Sequence, residues 1–209
     1  ISPPSPCDNS NANSFSRALE KYQGMFRQLG VVDPRPNKAP VPDDLAIRTK
    51  DVKGAAFFLD AAQVGVCELV ENAWYAGNDP LAHKLAVVIM VRPGRTPEAD
   101  NIAHDWAKGH EIAAAELRAF EIAIAVSEHI QGLGYDAKAH DHQTGGVDID
   151  RLSVMAGLNV RDGDKLVNPY LGDEYALAVV TTEYLINVDE PLAASAKNGR
   201  GLGYWLGLG

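Results

Sequence analysis

The sequence predicts an α+β fold, a sheet flanked by helices on both faces behind an extended amino-terminal arm, and three observations carry that prediction. Apolar runs of strand length, VGVCELV, KLAVVIMV and YALAVVTTEYLI, alternate with segments of helical periodicity. The strand runs are almost continuously apolar, so each needs cover on both sides. The opening ISPPSPCDNSNANS is polar and proline-rich and offers no core-forming pattern.

Taken in order, Phe15, Leu19, Tyr22 and Phe26 recur at helical spacing, which predicts a helix from Phe15 to Leu29 with Ser14 as its cap. DPRPNKAPVPDD, from Asp33 to Asp44, holds four of the chain's twelve prolines. Fixed φ angles and missing donors make it an extended connector over the surface. The pattern is helical from Val52 to Ala62, and VGVCELV follows as a strand. WYAGNDPLAH carries turn chemistry, and KLAVVIMV is a buried strand. In TPEADNIAHDWAKG, Pro97 suits the first turn of a helix. Ala113 to Gln131 is the longest expected helix, with Leu117, Phe120, Ile124 and Ile130 toward the core and Gly132 or Gly134 ending it in a left-handed conformation. YDAKAH opens a short strand, VDIDRLSVMAG is a helix, and YALAVVTTEYLI is a strand rich in β-branched residues. No internal repeat or long heptad array is present.

Composition bounds the function classes. A chain of 209 residues, 46% of them hydrophobic, can bury one substantial core. Its net charge of −9 argues against a surface that neutralises nucleic-acid phosphates or coats an anionic membrane. No apolar run approaches the roughly 20 residues that span a bilayer, so a soluble protein is expected. Cys67 lies in a strand pattern and reads as a buried free thiol rather than a partner of Cys7. Two cysteines cannot supply the four thiolates of a [4Fe–4S] site, so no iron–sulfur cluster is expected within the chain.

The histidines offer little chemistry on spacing alone. His140 and His142, with Asp148 and Asp150 nearby, could converge on a divalent metal, but no third ligand stands at a diagnostic spacing and no metal site is expected. His104 and His110 flank Trp106 without an H-E-x-x-H pattern. His129 falls in the last turn of the long helix, where a cationic ring complements the helix dipole. No GxSxG, GxxxxGK[ST] or GxGxxG motif occurs in the required context, which disfavours hydrolase, P-loop and Rossmann readings.

AGLNVRDGDKLVNPYLGDEYALAVVTTEYLINVDEPL, Ala156 to Leu192, resembles the end of the corrinoid-binding module in reductive dehalogenases and epoxyqueuosine reductases. There the stretch reads approximately AGLGxxGxxGLLxxPxYG, then a strand ending in TDLPL. DVKGAAFFLDAAQVGVCELVENAWY, Asp51 to Tyr75, is similar to that family's opening segment. EHIQGLGYDAKAH, ending at His140, is similar to its LGY segment. The three lie in the family's order across residues 51–192.

The resemblance implies a nitroreductase-like sandwich, an oxidoreductase ancestry and cobalamin as the cofactor. It assigns cofactor binding to Gly157, Asn159, Arg161, Gly163, Pro169, Tyr170 and Gly172, where glycine permits close approach to a flat macrocycle. The chain departs from the family pattern at several points. Asn159 stands in place of a glycine, the loop to Pro169 is one residue shorter, and TDLPL has become TEYLI at Thr182 to Ile186. The tyrosine that donates a proton in reductive dehalogenases has no clear equivalent, and no catalytic residue is assigned. The family's cysteine-rich ferredoxin-like region has no counterpart after Leu192.

These departures imply the degenerate amino-terminal module of a cytoplasmic-type reductive dehalogenase. Such a module is not catalytically competent alone; its partner is an active corrinoid and iron–sulfur module, or a second copy in a homo-oligomer. A stand-alone cobalamin-binding or processing protein and an FMN-dependent nitroreductase-like enzyme are the alternatives. The expected organisation is an arm, helix and proline-rich connector over 1–50, the corrinoid-module-like domain over 51–192, and a glycine-rich tail or linker over 193–209. Tyr204 and Trp205 make that tail an arm suited to docking on a neighbouring chain or domain.

Overall fold

In the computed structural model, which describes residues 14–29, 37–75, 82–144 and 146–193, two strands organise everything else. Each of the seven residues of β2 (Leu85–Val91) and of β6 (Ala176–Thr182) is buried. Such burial is possible only at the centre of a sheet covered on both faces. With β1 (Gln63–Glu68) and β3 (Ala137–His140), they form a four-stranded sheet in the order β1-β2-β6-β3. Every neighbouring pair is antiparallel.

The two-residue period of a strand sorts the apolar side chains into two cores. Val87 and Ile89 of β2 and Ala178 and Val180 of β6 face one way, into a core shared with α2 (Leu45–Phe58) and α4 (Glu111–Gly132). Ala86, Val88 and Met90 of β2 and Leu177 and Val179 of β6 face the other way, against α5 (Ile149–Met155). The first helix, α1 (Ser14–Leu29), packs on α4 rather than on the sheet. The architecture is therefore the expected α+β sheet with helices on both faces.

Some boundaries differ from expectation for local reasons. α2 begins at Leu45, seven residues ahead of the expected Val52, because Asp44 caps it: its Oδ1 accepts from Ala46 N at 2.8 Å. It ends at Phe58, before the expected Ala62, and Asp60 takes a φ of 71° to turn the chain into β1. The helix expected after Pro97 shrinks to a single turn, α3 (His104–Ala107). There the carbonyl of Pro97 contacts His104 Nδ1 at 2.8 Å and Asn101 Oδ1 accepts from Ala103 N, which favours turns over helix. α4 runs as expected, and Gly134, at φ 84°, leads the chain away from its end. The hairpin of β4 (Val160–Asp162) and β5 (Lys165–Val167) was not anticipated. Gly163, at φ 61°, opens its two-residue turn.

After β6 the chain becomes a strap. Arg48 donates to Leu185 O, Asn187 N to Thr49 Oγ1, and Lys53 Nζ lies 2.6 Å from Asp189 Oδ2. Asp189 then pairs with the open edge of β1: its N donates to Val66 O at 2.8 Å and its Oδ2 accepts from Val66 N at 2.7 Å. The strap thus passes from the α2 face around the sheet edge to the α5 face.

Cys67 is a buried free thiol whose Sγ lies 3.6 Å from Leu152 O. Burial, with Asp189 and Glu68 adding to it, pushes that thiol up to about 12. Cys7, the expected arm over 1–13, part of the connector and the tail beyond residue 193 lie outside the described residues. Among the described residues no helix is long and apolar enough to cross a membrane.

β1 and α5 approach so closely that a Cβ on Gly65 would stand 2.3 Å from Ala156 O. Gly65→Ala is expected to force these elements apart and cost about 2 kcal/mol, read as a lowered urea midpoint with an unchanged slope.

Candidate functional site

The segment 157–172 packs on the α5 side of the sheet, and its shape follows from a few buried polar groups. α5 is capped by Asp148, whose Oδ1 accepts from Arg151 N at 3.0 Å. Beyond α5, Gly157 turns the chain at φ 70°. A Cβ there would stand 2.3 Å from Glu190 O, so the strap occupies the space that this glycine leaves open. Asn159 is fully buried and donates from Nδ2 to Ser153 Oγ at 2.9 Å.

Asn168 then ties the whole loop. Its Nδ2 donates to Leu158 O at 2.7 Å and to Gln63 Oε1 at 2.8 Å. Its Oδ1 accepts from the backbone of Tyr170 and of Leu171, both at 2.9 Å. Its own backbone exchanges two hydrogen bonds with Gly172, which sits at φ 68°. Such an Asx turn explains Asn-Pro at this point, and Asn-Pro is the sequence signal that would have identified Asn168.

A cleft of about 410 Å³ lies beside this segment. α4 gives it Glu116, the turn after β3 gives His142, and α5 gives Asp150. Arg161 and Asp164 come from the β4–β5 hairpin, and Asp173 and Tyr175 from the approach to β6. Burial raises the Glu116 carboxyl above its ordinary value, with Asp141 adding to this and His142 opposing it. Tyr175 is pushed up to about 12 by burial and by Asp150 and Asp173. A phenol so placed is a weaker acid than usual, the reverse of the activation that a proton donor needs.

Of the seven residues assigned to cofactor binding by resemblance, Arg161 lines this cleft. Gly157 faces the strap, Asn159 is enclosed, and Gly163 tops the hairpin. Pro169, Tyr170 and Gly172 form the turn closed by Asn168, with the Tyr170 ring about half exposed. A corrin with its fringe of amides is larger than the drug-sized ligands that fill cavities of roughly 300–1,000 Å³. A 410 Å³ cleft walled by four carboxylates, with its neighbouring glycine already in contact with Glu190, does not fit that group.

Sequence spacing missed a second constellation inside the sheet. His83 Nδ1 and His140 Nε2 both contact the hydroxyl of Thr181, at 2.8 and 2.9 Å. A hydroxyl donates one proton, so it donates to one imidazole and accepts from the other. Asp136 Oδ2 lies 3.0 Å from His83 Nε2, an electrostatic contact without hydrogen-bond alignment. Among the described residues His140 Nδ1 has no hydrogen-bond partner, and it faces Gly146, where a Cβ would come within 2.4 Å.

His140 and His142 therefore do not converge: one is enclosed by the sheet and the other opens to the cleft. Among the described residues no three His, Cys, Asp or Glu side chains are placed to hold a metal ion. His129 does sit in the last turn of α4, but its ring contacts Asp51 of α2 at 2.8 Å. Phe120 fills the α4 core, while Trp74 packs edge-on against His140.

Burial, with Lys138 and His83 adding to it, lowers His140 from its ordinary value of 6.5 to about 3. The unfolded chain thus takes up this proton first as the pH falls. Stability carried by His140 is complete above about pH 6.5 and declines toward pH 3, at up to about 1.4 kcal/mol per pH unit. His140→Gln is expected to flatten the fall of the urea midpoint between pH 6 and 4.

The chain is 34% identical to the catabolic reductive dehalogenase NpRdhA, with a TM-score of 0.81 over 92% of its own length. It spans 28% of that protein. A second reductive dehalogenase structure, described in terms of B12-dependent dehalogenation, gives a TM-score of 0.79 at 34% identity, with the same 92% and 28% coverage. An epoxyqueuosine reductase in complex with a tRNA stem loop shares the fold at a TM-score of 0.51 and 13% identity, over 72% of this chain and 49% of that one. No protein-family model matches the chain, and no curated protein does.

Proposed function

We propose that this chain, a reductive dehalogenase-like module, is the degenerate module of a cobalamin-dependent reductive dehalogenase-like oxidoreductase. In this reading it keeps the sheet and both cores as a scaffold and interface, while another module holds the corrin and the iron–sulfur clusters and carries out the redox chemistry. The reading also places the protein in the cytoplasm.

The observation that carries the proposal is Gly157. A glycine that the resemblance assigns to close cofactor approach is instead packed against the chain's own Glu190 carbonyl. Asn168 supports the same reading by closing the following loop on itself. Arg161 remains exposed at the hairpin, where it serves the cleft rather than a buried macrocycle. The residues of this chain therefore build and cover the sheet, and the cleft they leave is polar, open and small.

Anaerobic titration of the purified chain with oxidised and with reduced cobalamin tests the proposal through the visible spectrum. No saturable change between base-on and base-off forms is expected. A saturable change would overturn the degenerate reading and support a stand-alone cobalamin-binding or processing protein.

A further inference from the structure

His83, Thr181 and His140 are all buried, and among the described residues the Thr181 hydroxyl has no hydrogen-bond partner besides the two imidazoles. Its single proton therefore sets the tautomer of both rings. If the hydroxyl donates to His83 Nδ1, His83 carries its own proton on Nε2, and His140 donates from Nε2 and leaves Nδ1 bare. The opposite hydroxyl direction reverses both tautomers. At the His83 end, Asp136 Oδ2 stands 3.0 Å from Nε2, and a carboxylate favours a proton on the nitrogen it faces. At the His140 end, Nδ1 has no acceptor in reach and meets Gly146, which offers it only a C–H. A bare nitrogen accepts that contact, whereas an N–H there is a buried donor without a partner. Both ends select the first arrangement.

Acid reverses this arrangement. A second proton on His83 occupies Nδ1, so the hydroxyl must accept there and turn its own proton to His140 Nε2. Burial keeps His140 from taking up a proton of its own until about pH 3. His140 therefore stays neutral while its proton moves, by exchange with solvent, from Nε2 to Nδ1, and one proton is gained in all. The new N–H is aimed at Gly146, whose carbonyl accepts from Tyr75 N at 3.3 Å. His140 also leads straight into the turn in which Asp141 Oδ1 holds the amides of Gln143 and Thr144, and that turn carries His142 to the cleft. Among the described residues, the charged groups around the chain are Asp136 and Lys138 on the β3 side and, past β6, Glu183, which accepts from Asp136 N and pairs with Lys38. The neighbour on the α5 side, Trp74, is uncharged.

We infer that Asp136, His83, Thr181 and His140 form a proton-sensitive relay through the sheet. Protonation of His83 switches the tautomer of His140 and so loosens Gly146 and the turn that borders the cleft. The relay is independent of whether the module has kept or lost a corrin site.

Nitrogen NMR of the six histidine rings in the labelled full chain tests the relay, because bare and protonated ring nitrogens differ widely in shift. At about pH 8 both His83 and His140 are expected to carry their proton on Nε2. On acidification His83 is expected to gain a second proton, His140 to change from Nε2–H to Nδ1–H at the same midpoint, and the Gly146 and His142 amides to shift with them. Asp136→Asn leaves the backbone contacts of this residue with Thr182 and Glu183 in place. It removes the charge that favours the second proton, so both changes are expected to move together to lower pH. Thr181→Val is expected to abolish the His140 change while His83 still titrates. Nδ1–H on His140 at the starting pH, a His140 tautomer that stays fixed as His83 titrates, or midpoints that part in Asp136→Asn would each overturn the inference. Loss of the fold before either ring changes would overturn it too.

Discussion

The molecule depends on one constraint: β2 and β6 are buried on both sides along their full lengths. A sheet with such a centre cannot face water anywhere near it. One side is met by long helices, chiefly the 22-residue α4. On the other side α5 has only seven residues, too few to cover four strands. The hairpin, the Asn168 turn and the strap complete the cover. These segments therefore belong to the core, and the shape of the cleft is set by what they leave open.

Polar groups drawn into so dry a centre must find partners, and the structure shows how few are needed. Thr181 on β6 serves two imidazoles at once, while Thr182 accepts from Tyr184 N and donates to Asp136 O. Asn168 satisfies two carbonyl-type acceptors and two backbone donors from a single side chain. An enclosed amide used in this way fixes one loop conformation and excludes others, because each alternative leaves a polar atom unpaired in the core.

The sheet was legible because burial on both faces writes continuous apolar runs into the sequence, and the strands lie at KLAVVIMV, VGVCELV and YALAVVTTEYLI, although β1 stops at Glu68 and β6 at Thr182, short of the expected ends. The long helix was equally plain, since Phe120, Ile124 and Ile130 recur at its period. What escaped notice was held by single polar residues rather than by periodicity. Asp44 moves the start of α2 by seven residues, and Asn101 turns an expected helix into a single turn. The hairpin at Gly163 is too short to carry a pattern. At the candidate site, the motif fixed the position of the loop but not its direction. Gly157 is equally suited to approach a cofactor or a carbonyl, and only the tertiary path of the strap, from 30 residues further along, decides between them. His83 and His140 are 57 positions apart and meet only through Thr181, so no local spacing announces them.

The strand order also has a temporal side. β6, the last strand among the described residues, inserts between β2 and β3, and the strap that seals the edge of β1 follows it. On the ribosome, β1 and β2 emerge about a hundred residues before their remaining neighbour exists. The nascent chain therefore carries an unpaired, strongly apolar strand edge while the whole segment between β2 and β6 is made, which is the condition under which partly made chains pair with one another. For this protein the interval closes only when residues 176–189 have left the exit tunnel, so the order of synthesis sets a demand on the chain that the stability of the finished fold does not meet.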